Sequence, residues 1–353
     1  ILFLSSFFGI YGVAFGVILG ALAHLLVQCP AFYRLGFRYQ WVFDIKNEGV
    51  KRLLKLTIPR VLTLATSQLN FLVLTALGSN LAAGSLAIFN LAYNIWTFPL
   101  GIFAASLATA IFPSFAKAVA EINWTDFHKN FSAACRQLVF LIVPISVFFW
   151  VLRHPLIQII LGTGKFSLED VLTTGEVLKF LIFGLLAESI ILLLVRGFFA
   201  LEDTKTPFFL SFFSSVLRIG GAWYLSGFLG VSGLALGYSL GSIFQMVGLW
   251  IFLDRKTAGL KNKEIFITFL KILLISFLAG FASWNVWVFL KNYFGTDTMI
   301  YLLFFGSLAG AFGVLVYLFF ARFWRLPEFD FFWQSLKKYL FLENFINRLK
   351  TEK

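Results

Sequence analysis

About nine stretches of this chain are helix-length, nearly continuous in apolar residues and almost free of charge: 9–31, 57–79, 84–115, 131–152, 173–200, 208–226, 231–253, 266–290 and 299–321. A helix crossing a bilayer needs about 20 such residues. In lipid every backbone N–H and C=O must be satisfied within the protein, which leaves helices or a closed barrel. Barrel strands alternate apolar and polar residues, and these runs do not. The expectation is an all-α fold, a polytopic transmembrane helical bundle. Composition agrees. Only 13% of residues are charged, against about 25% in soluble domains. The 47 Phe and 10 Trp carry more aromatic surface than one soluble core of this size can bury.

The net charge of +12 does not indicate nucleic acid, because the basic residues fall mainly between apolar runs and near the C-terminus. Connections 32–56 and 254–265 are basic, while 80–83 and 227–230 carry no charge. The positive-inside rule then places the basic connections and the C-terminus in the cytoplasm. Residues 47–56 suit an interfacial helix leading into the second span. Within 328–353, Phe332, Leu336, Leu340 and Ile346 recur near helical spacing among Lys337, Lys338, Arg348 and Lys350. That pattern fits an amphipathic helix on the membrane surface. The chain begins at Ile1 inside an apolar run, so residues 1–8 read as the end of an earlier span. Cys29 and Cys135 give neither disulfide nor metal spacing.

No catalytic constellation is present. His24, His128 and His154 are scattered, and no phosphate loop or nucleophile elbow occurs. No catalytic residue, metal or cofactor is expected, and transport, lipid handling or a scaffolding role remains. Ionisable residues inside spans are costly and mark functional candidates: Arg218, Glu188, Arg196 and His24. Arg60 and Arg136, near span ends, read as snorkelling side chains, and Arg196, near the cytoplasmic end of its span, is read equally as one. Arg218 and Glu188 either pair and pin two helices, or line a polar cavity for anionic or proton-linked cargo; one pair can do both. Pro59, Pro99, Pro113 and Pro144 predict kinks. Asn70, Asn90 and Asn94 read as inter-helix glue. In the turn Asp203-Thr204-Lys205-Thr206-Pro207, Thr206 is expected to cap a helix starting at Pro207.

Several segments, in order, resemble the MurJ (MviN) lipid II flippases, within the superfamily of multidrug and polysaccharide exporters. GVAFGVILGALAHLLVQCPAF is similar to the family's sixth span, with His24 where Gln is usual. TIPRVLTLATSQLN matches the seventh through Pro59, Gln68 and Asn70. NIWTFPLGIFAASLATAIFPSFAK is the strongest likeness, through Phe98-Pro99-Leu100-Gly101-Ile102-Phe103 and Phe112-Pro113. LGTGKFSLED resembles the loop before the tenth span. LVRGFFALEDTKTP matches at Arg196, Asp203, Thr204, Thr206 and Pro207, and GVSGLALGYSLGSIFQ follows. The likeness covers roughly residues 9 to 255.

The resemblance implies the second lobe of a two-lobed alternating-access transporter plus two extra C-terminal helices. The expected divisions are 1–31, the end of a first lobe; 32–56, a basic cytoplasmic loop with an interfacial helix; 57–253, a six-helix lobe; 254–321, a loop and two additional spans; and 322–353, a basic amphipathic tail. The implied cargo is the undecaprenyl-linked peptidoglycan precursor, the implied surroundings the bacterial inner membrane, and cell-wall synthesis proteins the implied further partners. Three positions depart from the family pattern. Asn94 stands where many members have Arg, Leu74 where many have Asp, and Arg218 where Asn is usual. The expectation is that Arg218 supplies the pyrophosphate-binding charge missing at Asn94, with Glu188, Asn94, Arg196 and His24 as further substrate-binding candidates. The alternatives are a polysaccharide or drug exporter of the same superfamily and a non-transporting membrane scaffold.

Overall fold

The computed structural model describes residues 10–34, 36, 47–162, 166–257, 259–294 and 299–339. Among them the chain is helical without strands. It divides into two compact units, residues 1–54 and 55–353. In the first unit, helix α1 (Ile10–Arg34) carries the apolar run Ala14–Pro30, where a full span over 9–31 was expected. The basic segment 47–56 forms the opening turns of α2 (Glu48–Ser79), continuous with the second span.

Eight helices among the described residues are long and apolar enough to cross a membrane. After α2, one span covers Ser85–Ala120. It consists of α3 (Ser85–Pro99), a π-helical turn over Leu100–Ala105, and α4 (Ser106–Ala120). Pro99, where a kink was expected, is followed by a widened turn, which gives the ladder an alternative register where proline offers no N–H. Then come α5 (Trp124–Val151), the short α6 (Arg153–Leu161), α7 (Leu168–Ala200), α8 (Lys205–Leu229), α9 (Val231–Lys256), α10 (Asn262–Phe294), α11 (Met299–Phe323) and α12 (Pro327–Tyr339). The stretch 116–130, which lies between two of the expected spans, is mostly the ends of α4 and α5, with Asn123 capping α5 by accepting from the Asp126 N–H at 3.1 Å. Of the expected amphipathic tail, α12 forms; residues 340–353, with Leu340, Ile346, Arg348 and Lys350, lie outside the described residues, as do the side chains of Leu336, Lys337 and Lys338.

Helix α7 is the axis of the second unit. Ser167 and Asp170 start it with a reciprocal capping box. It is apolar all round, as a helix enclosed by other helices is. Its neighbours include α3, α4, α5 and α9. Helices α10 and α11 pair with each other and lean on α5, joined through Ile272, Ile275, Ala279 and Tyr317. The Tyr317 hydroxyl donates to the Phe140 carbonyl at 2.7 Å. Near the middle of α5, Arg136 meets both Glu264 of α10 (3.2 Å) and the buried Glu328 of α12 (3.0 Å). It is a clamp on three helices, where the sequence suggested only a snorkelling side chain.

Helices α8 and α9 meet through a ladder of glycines at four-residue intervals, Gly233, Gly237 and Gly241. A Cβ on Gly233 would lie 2.3 Å from the Leu225 backbone, and one on Gly237 2.2 Å from the Ala222 nitrogen. On Gly241 it would lie 2.1 Å from Arg218 Cγ. Small residues at this spacing let helix backbones touch. Because the obstacles at Gly237 are backbone atoms, Gly237→Ala is expected to cost about 1–3 kcal/mol by overpacking, read as a lower melting temperature in detergent. Gly101→Ala, whose added Cβ meets nothing within 4 Å, is expected to leave it unchanged.

Candidate functional site

The glycine ladder leads to the most polar point of the bundle interior. Arg218 of α8 is 7% exposed. Its Nη2 donates to Glu188 Oε1 of α7 at 2.6 Å and to Gln245 Oε1 of α9 at 3.0 Å. Ser242 Oγ donates to the same Glu188 oxygen at 2.7 Å, and Ser214 Oγ to Gln245 Oε1 at 3.0 Å. The guanidinium lies 4.6 Å from the centre of the Tyr238 ring. Tyr93 and Trp96 of α3 meet that ring edge-on, at 5.9 and 5.5 Å. Tyr238, Ser242 and Gln245 recur at intervals of four and three on α9, so one helix face presents all three.

A cavity of about 430 Å³ opens beside the pair, within the 300–1,000 Å³ range of small-ligand sites. Arg218, Glu188 and Arg196 all line it, together with Asn70, Leu74 and Gln245. Three of the residues singled out from the sequence thus converge. Arg196 is half-buried, its guanidinium 5.7 Å from the centre of the Phe112 ring. Leu74, 2% exposed, is part of the cavity wall. Asn70 is buried; its Nδ2 donates to Ser215 Oγ at 2.6 Å, while its Oδ1 has no partner.

Two expected ligand residues are placed elsewhere. Asn94 is exposed on α3 and is not among the cavity's lining. His24, in the first unit, is exposed and bonds Gln28 at 3.1 Å. Pro99 is buried at the end of α3 and Gly101 sits in the π-helical turn.

The turn before α8 differs from the expected capping. The helix starts at Lys205 rather than Pro207, and the cap is not Thr206. Asp203 Oδ1 accepts from the N–H groups of Lys205 and Thr206, both at 3.1 Å, and Thr206 Oγ1 donates to Asp203 Oδ2 at 2.6 Å. A carboxylate takes two free amides at once, so it displaces a hydroxyl from the role. Lys256 of α9 pairs with the same carboxylate. Burial would raise the Asp203 carboxyl, but the Lys256 and Thr206 hydrogen bonds and the Lys256 charge outweigh it, holding it below the ordinary value.

Tyr238, Ser242, Gln245, Ser214, Tyr93 and Trp96 were not anticipated from the sequence. The available signal was the glycine spacing on α9, which marks the face turned to α8, with Ser242 and Gln245 continuing that face.

The comparisons with known proteins agree with this architecture. The family model described as "Lipid II flippase MurJ" matches residues 1–305. The chain belongs to the MurJ lipid II flippase family. The match extends beyond residues 9–255, where the recognisable motifs lie. A probable lipid II flippase from Borreliella burgdorferi is 28% identical over 290 residues, 81% of this chain and 56% of the relative. One from Buchnera aphidicola subsp. Acyrthosiphon pisum is 29% identical over 345 residues, 94% of this chain and 65% of the relative. The chain thus spans between about half and two thirds of the length of these relatives. A solved MurJ in an inward closed conformation superposes with a TM-score of 0.68 at 25% identity, over 92% of this chain and 64% of that one. An outward-facing MATE-family transporter superposes with a TM-score of 0.53 at 18% identity, over 83% of this chain and 69% of that one, and shares the fold.

Two predictions follow from the site's electrostatics. Removing one partner of a buried ion pair strands the other charge, at a cost of about 3–5 kcal/mol. Arg218→Met alone is therefore expected to lower the melting temperature sharply, and adding Glu188→Met to recover most of the loss. Equal melting of the single and double variants would contradict the pairing. For Asp203, a depressed carboxyl stabilises the fold at neutral pH and loses that effect as pH falls from about 4. Asp203→Asn should melt lower than the wild type at pH 7, with the gap closing as the pH drops toward 3.

Proposed function

We propose that this chain forms the second lobe, with two further spans, of a flippase that moves undecaprenyl-pyrophosphate-linked peptidoglycan precursor (lipid II) across the bacterial inner membrane by alternating access. The observation that carries this reading is the family match over residues 1–305. A charged cavity inside the same lobe supports it. Flipping breaks and forms no covalent bond. The work required is to shelter a charged head group while it passes the apolar core, which calls for buried cations and hydrogen-bonding groups rather than a catalytic constellation. The protein is thus a transporter and not an enzyme. The basic connections and the C-terminus face the cytoplasm, as the positive-inside rule requires.

The main alternative is export of a polysaccharide or drug within the same superfamily. Helices α10 and α11 favour the flippase, because a twelve-span exporter has no need of them. Here they are packed into the lobe through a buried cluster on α5. Expression from its own gene in bacteria depleted of their lipid II flippase is expected to restore growth and cell shape. A stably produced protein that leaves lipid II on the cytoplasmic side would overturn the reading.

A further inference from the structure

We infer that Arg196, and not Arg218, is the cation that receives the phosphates of the cargo. The inference rests on the flippase reading above. An arginine serves an anion as a cation only with charge to spare. Arg218 has donors left, its Nε being buried without a partner, but its charge is already spent. Glu188 neutralises it at 2.6 Å, Gln245 takes a further bond from the same Nη2, and Tyr238 covers its plane. Drawing it toward a phosphate would strand Glu188 inside the bundle. That geometry makes Arg218 and Glu188 a pin between α7 and α8.

Arg196 stands two turns further along α7, on the same cavity wall. Among the described residues no carboxylate lies within ion-pair distance of it. Its guanidinium is near the Phe112 ring of α4. An aromatic ring supports a guanidinium from the side and leaves its edge, where the N–H donors are, free to meet a phosphate in a fork. A second group in the cavity is also open. Ser215 Oγ spends its proton on the Ser211 carbonyl at 2.7 Å, so it can only accept from Asn70 Nδ2. That fixes the Asn70 amide with its unpartnered Oδ1 remaining, a buried acceptor suited to a hydroxyl or amide of the cargo. The cavity therefore offers one uncompensated cation and one open acceptor, the complement of a phosphate attached to a sugar.

The test is binding by the full chain in lipid nanodiscs, with three ligands of one tail: undecaprenyl pyrophosphate, undecaprenyl phosphate and undecaprenol. The wild type should bind the pyrophosphate tightest and the alcohol weakest. Arg196→Gln should weaken pyrophosphate binding by about tenfold or more, as loss of a charge-assisted bond does. Binding of the alcohol should stay as it was, a pattern that general loss of structure does not produce. Arg196→Lys should keep part of the preference, having the charge without the fork. If Arg196→Gln folds poorly, Phe112→Leu provides the second test, expected to reduce the same preference by releasing the guanidinium. Wild-type preference retained in Arg196→Gln, or in Phe112→Leu where that replaces it, overturns the assignment to Arg196 and leaves the flippase reading standing. A wild type that does not discriminate among the three lipids removes both.

Discussion

A guanidinium can remain inside a membrane bundle only if its charge is cancelled within hydrogen-bond distance. The Arg218–Glu188 pair meets that condition, and much of the lobe is arranged around meeting it. The carboxylate comes from α7, the guanidinium from α8, and the supporting amide and hydroxyl from α9. Three helices must hold register for one ion pair to survive. The glycine ladder makes this possible. With any side chain at position 241, the Arg218 stem would have no room against α9. Close packing of two backbones and burial of a charge are thus one feature of the sequence.

Helix α7 carries the consequence outward. Its residues advance 100° each, since a turn holds 3.6. Glu188, Leu192, Val195, Arg196 and Phe199 therefore share one side, and all line the polar cavity. Leu186 and Ile190 point to the opposite side and line an almost wholly apolar crevice of about 550 Å³, bounded also by Val139, Trp250 and Phe269. One helix divides a polar chamber from an apolar one. No periodicity betrays this in the sequence, because both faces are mostly aliphatic and only Glu188 and Arg196 mark the wet side.

What could be read in advance follows from that contrast. Spans are legible because lipid imposes a length and a composition on each. Their ends are less so: α4 and α5 continue through 116–130, where polar residues form helix beyond the apolar run. Arg218 and Glu188 stood out because charge in a span is expensive, and their pairing was one of two open readings. The partners were hidden because Ser242, Gln245 and Tyr238 are unremarkable singly. Asp203 rather than Thr206 caps α8 because a carboxylate with two oxygens can hold two amides, Thr206 Oγ1 and Lys256 together. That demands a lysine 53 positions away, which no local pattern contains.

The charge balance of the cavity bears on the departures from the family pattern. Leu74, expected in place of an acid, is packed into the chamber wall, and Asn94 is exposed and not among the chamber's lining. The charge of Arg218 is cancelled by Glu188. Of the cavity's three charged side chains, two therefore contribute a dipole rather than a net charge. A dipole's field falls off faster with distance than that of a single ion, and what remains for an anion entering the chamber is Arg196. In this lobe the charge at position 196 thus matters more to an incoming phosphate than the more deeply buried charge at 218. Depth in the membrane alone is a poor guide to which ionisable group is available for binding.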